Sequence, residues 1–322
     1  PNDPFVHLVL ISVQVVFSGW HVLAKVALND GVSPMALALW REVLATGLMF
    51  LVARRLDGHV VMQREHARRF ALMGIASFGN VVGAVVALRH LSPMAFGLMQ
   101  PSIPVLALLL SYLLGIEGMS RLKVAAVVTA VAGAILVEVV SASDANAAAA
   151  DAAAAAADAA AAAAAAAGGS ATVAADGAAA GGDDSGRSAA FGGIVVFLQC
   201  CSMATLAVVQ KPVLAVYPPA TVTLWYYAIG SAVTVAACIA FGVPVHDFAL
   251  TGRLLPWLAL AYAALPATLF TYNALSWATG QVAPTTVTVY STLQPAGTLL
   301  LSALFLGYRV STMQLFGGAV VS

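Results

Sequence analysis

Four polar residues recur in an otherwise apolar opening stretch: Gln14, Ser18, His21 and Lys25, spaced four, three and four. On a helix that spacing puts all four on one face. Polar groups in hydrocarbon cost several kcal/mol unless satisfied, so such a stripe faces a bundle interior or a wet cavity. Gln199, Ser202 and Gln210 repeat part of it later in the chain. Amides, an imidazole and an ammonium on one wall can hold a polar solute. Amides donate and accept, and an ammonium pairs with a carboxylate or phosphate. Two of these residues have a second reading. Lys25 can instead snorkel to the interface from its helix end, and His21 is either a proton relay or a satisfied bundle histidine.

Further candidates surround this stripe. Asn80, Tyr272 and Asn273 are polar residues within apolar runs. Gln100 and Gln294 sit beside Pro101, Pro104 and Pro295. Each proline removes a helix hydrogen bond and favours a kink, so these segments read as hinges or cavity walls, or as plain packing kinks. The two glutamines bond either a solute or a neighbouring helix. Arg41 is a substrate clamp or an interfacial charge, and Glu42 is expected at the interface. Trp277, Tyr262 and Tyr290 offer aromatic walls or belong to interfacial belts, where Trp40, Trp225, Tyr226 and Tyr227 are also expected. Gly79 and Gly83 form a small-xxx-small pair that permits close helix approach. His7, His59, His66, His90 and His246 fall near ends or in loops and are expected to be solvated. Cys200, Cys201 and Cys238 read as small core residues. No Cys/His spacing suggests a metal site, and no cofactor is expected.

The elements that must position these residues follow from composition. Apolar residues make up 61% of 322 and charged residues 9%, with zero net charge and a mean hydropathy of +0.93. A soluble domain carries roughly a quarter charged residues, so the apolar surface must face lipid. With no basic block, nucleic acid is not an expected partner. A spanning helix needs ~20 apolar residues. Ten segments qualify: Phe5–Leu28, Met35–Ala53, Phe70–Leu88, Met94–Leu114, Leu122–Val140, Phe191–Val209, Ala220–Phe241, Leu254–Trp277, Val282–Leu306 and Thr312–Ser322. The chain starts at Pro1 without Met and stops inside the tenth segment, so that helix reads as truncated. Short turns such as Asn29-Asp30-Gly31 and Gly280-Gln281 force neighbouring helices antiparallel.

Residues 141–190 are nearly all Ala and Gly with scattered Asp, and are expected to be a linker without large side chains to pack. It divides a first five-helix repeat, 1–140, from a second, 191–322. The two repeats match without gaps over two blocks. At a shift of 185, Gln14 meets Gln199, Pro34 meets Pro219, and Leu39-Trp40 meets Leu224-Trp225. At a shift of 191, Pro93 meets Pro284, Pro104 meets Pro295, and Ser111 meets Ser302. Five helices per repeat make the second enter from the opposite side, so the repeats are expected to be inverted around a midplane site. Arg54, Arg55, Arg64, Arg68, Arg69, Arg121 and Lys123 lie in two loops on one side, which the positive-inside rule makes cytosolic.

Three stretches carry a family resemblance: Ser33-Pro34 with Trp40-Arg41; Leu91-Ser92-Pro93 through Gln100-Pro101-Ser102-Ile103-Pro104 to Gly115-Ile116-Glu117; and Gln281-Val282-Ala283-Pro284 through Leu293-Gln294-Pro295 to Phe305-Leu306-Gly307. They resemble the EamA repeats of the drug/metabolite transporter superfamily, most like the plant nodulin-like (walls-are-thin-related) branch. The resemblance implies an all-α protein of ten membrane helices that exports or exchanges amino acids, auxin-like compounds or other small metabolites. Where the family often has Gly-Glu after the ninth helix, Gly307 is followed here by Tyr308. The expected partners are a small solute and the bilayer of a plasma or organelle membrane, and a homodimer is compatible with the sequence. A sugar-phosphate or nucleotide-sugar translocator is the runner-up, and a non-transporting membrane partner is a further alternative. No Walker, Gly-x-Ser-x-Gly or His-Glu-x-x-His motif occurs, so direct ATP drive and hydrolytic chemistry have no signal. With carboxylates scarce in the spans, facilitated diffusion is favoured over a deep proton relay.

Overall fold

The computed structural model describes residues 4–58, 60–129, 132, 182–250 and 254–306, and every regular element among them is helical. The first three spans are single helices: α1 (Pro4–Asn29), α2 (Pro34–Leu56) and α3 (Ala67–His90). α1 runs 26 residues, about 39 Å at ~1.5 Å per residue, enough to cross the ~30 Å core of a bilayer. Its inner face buries Val6, Leu10, Val13 and Phe17, while Phe5, Leu8, Ile11 and Val15 are exposed. Residues that are apolar on both faces suit a helix packed on one side and solvated by lipid on the other. Seven helical stretches among the described residues are long and apolar enough to span a membrane, the last being Leu254–Gln281.

The prolines break later spans rather than merely bending them. The fourth is split into α4 (Pro93–Met99) and α5 (Ser102–Leu113), with Gln100-Pro101 between. Pro104 falls in the first turn of α5, where the missing N–H has no helical partner to lose. The ninth is split likewise into α11 (Pro284–Val289), a 3-10 turn Tyr290–Leu293 and α12 (Gln294–Leu306). The eighth joins α9 (Leu254–Ala264) to α10 (Thr271–Gln281) through a π-helical segment, Leu265–Phe270, that contains Pro266. Between the fourth and eighth spans lie α6, helical over 121–129, then α7 (Gly182–Val213) and α8 (Pro219–Ala240). The helix of α7 begins within the last nine residues of 141–190. The rest of that linker and the tenth segment lie outside the described residues.

Several contacts join residues of one half to the loops and helices of the other. Trp40 Nε1 donates to the Phe248 carbonyl and Trp225 Nε1 to the Val60 carbonyl, both at 3.0 Å. Thr46 Oγ1 lies 3.0 Å from Ser231 Oγ, a pair separated by 185 positions. Within each half, Lys25 Nζ donates to the Leu88 carbonyl at 2.9 Å, and Lys211 Nζ to the Thr279 carbonyl at 2.7 Å. Each ammonium thereby takes up carbonyls that a helix C-terminus leaves without partners. First-turn donors in the second half are taken up by carboxylates of the first. Asp57 Oδ2 accepts from Thr221 N and Oγ1 at 2.8 and 2.7 Å, and Glu117 Oε1 accepts from Thr285 N and Oγ1 at 3.0 and 3.1 Å. α3 lies close against α7, where a Cβ on Gly79 would come within 2.5 Å of Ser202 Oγ. The small-xxx-small pair thus lets these two backbones approach.

Candidate functional site

Polar side chains from both halves converge on one cavity. Gln14 and His21 come from α1, Arg41 from α2, Asn80 from α3 and Gln100 from the α4–α5 break. Gln199 and Gln210 come from α7, Tyr272 from α10, and Ser291 and Gln294 from the broken ninth span. Phe17, Trp20, Phe96, Ile103 and Leu275 supply apolar wall. The space open to water centres is about 50 Å³, room for a few waters at ~10–15 Å³ each. A metabolite needs the helices to part.

The amides are tied into two chains. Gln294 Nε2 donates to Gln14 Oε1 at 2.7 Å. Gln100 Nε2 donates to Gln199 Oε1 at 3.2 Å, Gln199 Nε2 to Asn80 Oδ1 at 2.6 Å, and Asn80 Nδ2 to Tyr272 Oη at 2.5 Å. Gln294 Oε1 and Trp20 Nε1 are buried without a partner. At the next level, Gln210 Oε1 accepts from Ser276, and Gln210 Nε2 donates to Thr279 Oγ1 at 3.3 Å.

Arg41 is the fixed charge of the cavity, at 2% exposure. Its Nε donates to Thr268 Oγ1 at 2.6 Å and Nη2 to the Ala267 carbonyl at 3.3 Å, both in the π segment. The guanidinium carbon stands 5.0 Å from the Trp20 ring centroid, within cation–π range. The Ala267 carbonyl also accepts from Thr271 Oγ1 at 2.9 Å, so it serves two side-chain donors. Two of the five guanidinium N–H groups are thus used. Among the described residues Arg41 makes no ion pair.

Some expected site residues lie elsewhere. Ser18 is buried, donates to the Gln14 carbonyl at 2.9 Å and packs at the Gln294 backbone rather than the cavity. Lys25 is spent on the end of α3. Asn273 donates to the Leu269 carbonyl at 2.7 Å. Trp277 stacks edge-on with Phe5, and Tyr290 bonds His7. Tyr262 donates to the Val16 carbonyl. Tyr226 and Tyr227, expected in belts, are buried at 1% and 0%, because α8 turns them inward against α10. Glu42, expected at the interface, is fully buried against Thr234 of α8. Of the histidines expected to be solvated, His66 meets Tyr217 and His90 meets Ser188, while His59 lies outside the described residues. The π segment, Thr268, Trp20 and the Ser276 hydroxyl were not foreseen. Pro266 within an apolar span was the available signal for the first two.

Apolar spans around a polar cavity define a multi-pass integral membrane protein of the solute-transporter class. The chain belongs to the EamA-like transporter family, whose model matches residues 4–139 and 190–322. It is 27% identical over 120 residues to Protein WALLS ARE THIN 1 of Arabidopsis thaliana, a stretch covering 36% of this chain and 31% of that protein. A solved crystal structure of a protein 17% identical to it superposes with a TM-score of 0.66 over 99% of this chain and 94% of that one. At that identity the likeness shows the fold alone.

Proposed function

We infer that the chain carries small carboxylate-bearing metabolites, of the amino-acid or auxin-like kind, between two inverted five-helix repeats. The observation that carries this reading is Arg41, a buried cation on the cavity wall with uncommitted N–H groups and, among the described residues, no carboxylate in ion-pair contact. A buried charge without a partner is costly, and a carboxylate solute supplies that partner bidentately. Gln14, Asn80, Gln100, Gln199, Gln210, Tyr272 and Gln294 would meet the polar groups of the solute, and Phe17, Trp20 and Phe96 its apolar body. His21, whose Nδ1 is 3.4 Å from Thr298 Oγ1, completes that wall.

In this reading residues 1–140 and 191–322 are the repeats, each of five helices, and 141–190 links them. The exchanged contacts support a twofold relation. Thr46 and Ser231 touch, as equivalent residues beside a twofold axis do. Trp40 and Trp225, equivalent at the 185 shift, each reach the other half's loop. The broken helices at Pro101, Pro104 and Pro295 are the hinges that widen the cavity. Reconstituted protein is expected to move labelled tryptophan or indole-3-acetate, with competition by neutral amino acids. Inhibition by hexose phosphates and not by amino acids would overturn this in favour of a phosphate carrier. Such a site needs paired cations, and both nearby lysines, Lys25 and Lys211, are committed to helix ends.

A further inference from the structure

A second polar cluster lies in the α2–α8 contact, apart from the cavity. Glu42 and Thr234 are each 0% exposed. Glu42 Oε2 is hydrogen-bonded to Thr234 Oγ1, and that same hydroxyl stands 3.1 Å from the Gly230 carbonyl. A threonine hydroxyl has one hydrogen, and a carbonyl has none. With Glu42 ionised, its oxygen and the Gly230 carbonyl would compete for that single hydrogen. With Glu42 as the carboxylic acid the bonds close in sequence. The acid donates to Thr234, and Thr234 donates to Gly230.

The surroundings agree with a neutral side chain. Among the described residues Glu42 Oε1 has no hydrogen-bond partner, and the ion pairs there involve other groups. Arg41, the preceding residue, is a cation within electrostatic reach of Glu42, but its hydrogen bonds go to the π segment and no ion pair joins the two. The titratable groups that α8 brings near Glu42 are Tyr227 and Cys238, neither a cation. α3 has titratable residues only at its ends and the π segment has none, while Tyr262 of α9 donates to the Val16 carbonyl.

We propose that Glu42 is a proton-binding site whose loading and release accompany the opening of the α2–α8 contact, coupling solute movement to a proton. On release the acid O–H bond breaks, the proton passes to water and a carboxylate remains. That carboxylate has no partner inside the closed contact, so the ionised form favours the open one. α2 belongs to the first half and α8 to the second, so this opening is a movement of the halves. The coupling clause rests on the transporter reading; the proton site does not.

The two parts are tested separately. Infrared difference spectra of purified protein in bilayers are expected to show a protonated carboxyl stretch at neutral pH. Glu42→Gln, which keeps the neutral shape, abolishes it, and Thr234→Val shifts it. A spectrum without that band, or with the band intact in Glu42→Gln, overturns the proton site. In proteoliposomes an imposed pH gradient is expected to accumulate labelled tryptophan or indole-3-acetate, and Glu42→Gln returns the accumulation ratio to one. Flux of a probe without gradient-driven accumulation overturns the coupling. If neither probe crosses, the coupling falls with the transporter reading, and the infrared band alone decides the proton site.

Discussion

At positions equated by the 185 shift, α2 carries Arg41 and Glu42 where α8 carries Tyr226 and Tyr227, and all four side chains are buried. The pattern extends along the chain. Asp57 stands against Gly242, and at the 191 shift Glu117 stands against Tyr308. The first half thus supplies the cavity's fixed charge and the carboxylates that hold α8 and α11. The second half supplies aromatic rings, hydroxyls and helix N-termini to receive them. In the proposed inverted arrangement related halves face each other, and their unequal side chains leave the site with one charged wall. The arrangement also divides labour. Amides occur on both sides and tie the halves together, whereas charge occurs on one side and is free for a ligand.

The sharpest way to break this comparison is to exchange the charge. Arg41→Ala is expected to lower carboxylate flux in proteoliposomes by about 10–100-fold, the worth of one charge-assisted hydrogen-bonded contact. Arg41→Lys does not restore it, since an ammonium lacks the planar fork and the Trp20 contact. Tyr226→Phe at the equivalent place changes flux by less than about twofold, because it removes one long bond to Ser276, 3.4 Å. Equal losses at both positions would end the idea of a single charged wall.

The amide chains are the next test. Gln199→Leu removes the partner of Asn80 Oδ1 and leaves Gln100 Nε2 only its 3.5 Å bond to the Phe96 carbonyl, while its equivalent Gln14→Leu removes one partner, that of Gln294 Nε2. Unfolding in detergent is expected to report losses of about 2 and about 1 kcal/mol respectively, at the known cost of buried orphaned groups.

Removing either carboxylate that seizes a helix start, by Asp57→Asn or Glu117→Gln, costs about 1 kcal/mol, the scale of a helix cap. For Glu117 the pH dependence has a definite sign. Burial pushes its carboxyl up, but hydrogen bonds from Lys123 and Thr285 outweigh that and hold it below its ordinary 4.5. Its contribution is therefore complete above that value and disappears as pH falls through the lower, folded-state value. A pH series of melting temperatures should show a flatter acid limb in Glu117→Gln. The smallest effects belong to Trp40→Phe and Trp225→Phe, each expected to cost about 0.5–1 kcal/mol for a lost indole bond. A large difference between those two would show that the halves are less alike than their contacts imply.

Much of this was legible beforehand. The spacing of Gln14, Ser18 and His21 pointed to one buried face, at whose end Lys25 is half-buried. The prolines marked both broken spans. Periodicity gives the face of a helix but not what that face meets, so it could not tell that Ser18 would pack on a backbone while Gln14 met an amide. It also put Tyr226, Tyr227 and Glu42 at the interface, since nearness to a helix end looks the same whether the neighbour is water or another helix.

The sequence by itself determined a lipid-facing helical chain, its spans, its repeat and a store of polar residues too costly to leave in hydrocarbon. Those follow from transfer energy and helical geometry, which act locally along the chain. Only the tertiary structure decided that Arg41 keeps N–H groups uncommitted, that Lys25 and Lys211 are spent on helix ends and that Glu42 is sealed against α8. Each of those depends on which orphaned carbonyl or hydroxyl the packing of distant helices brings within hydrogen-bond reach.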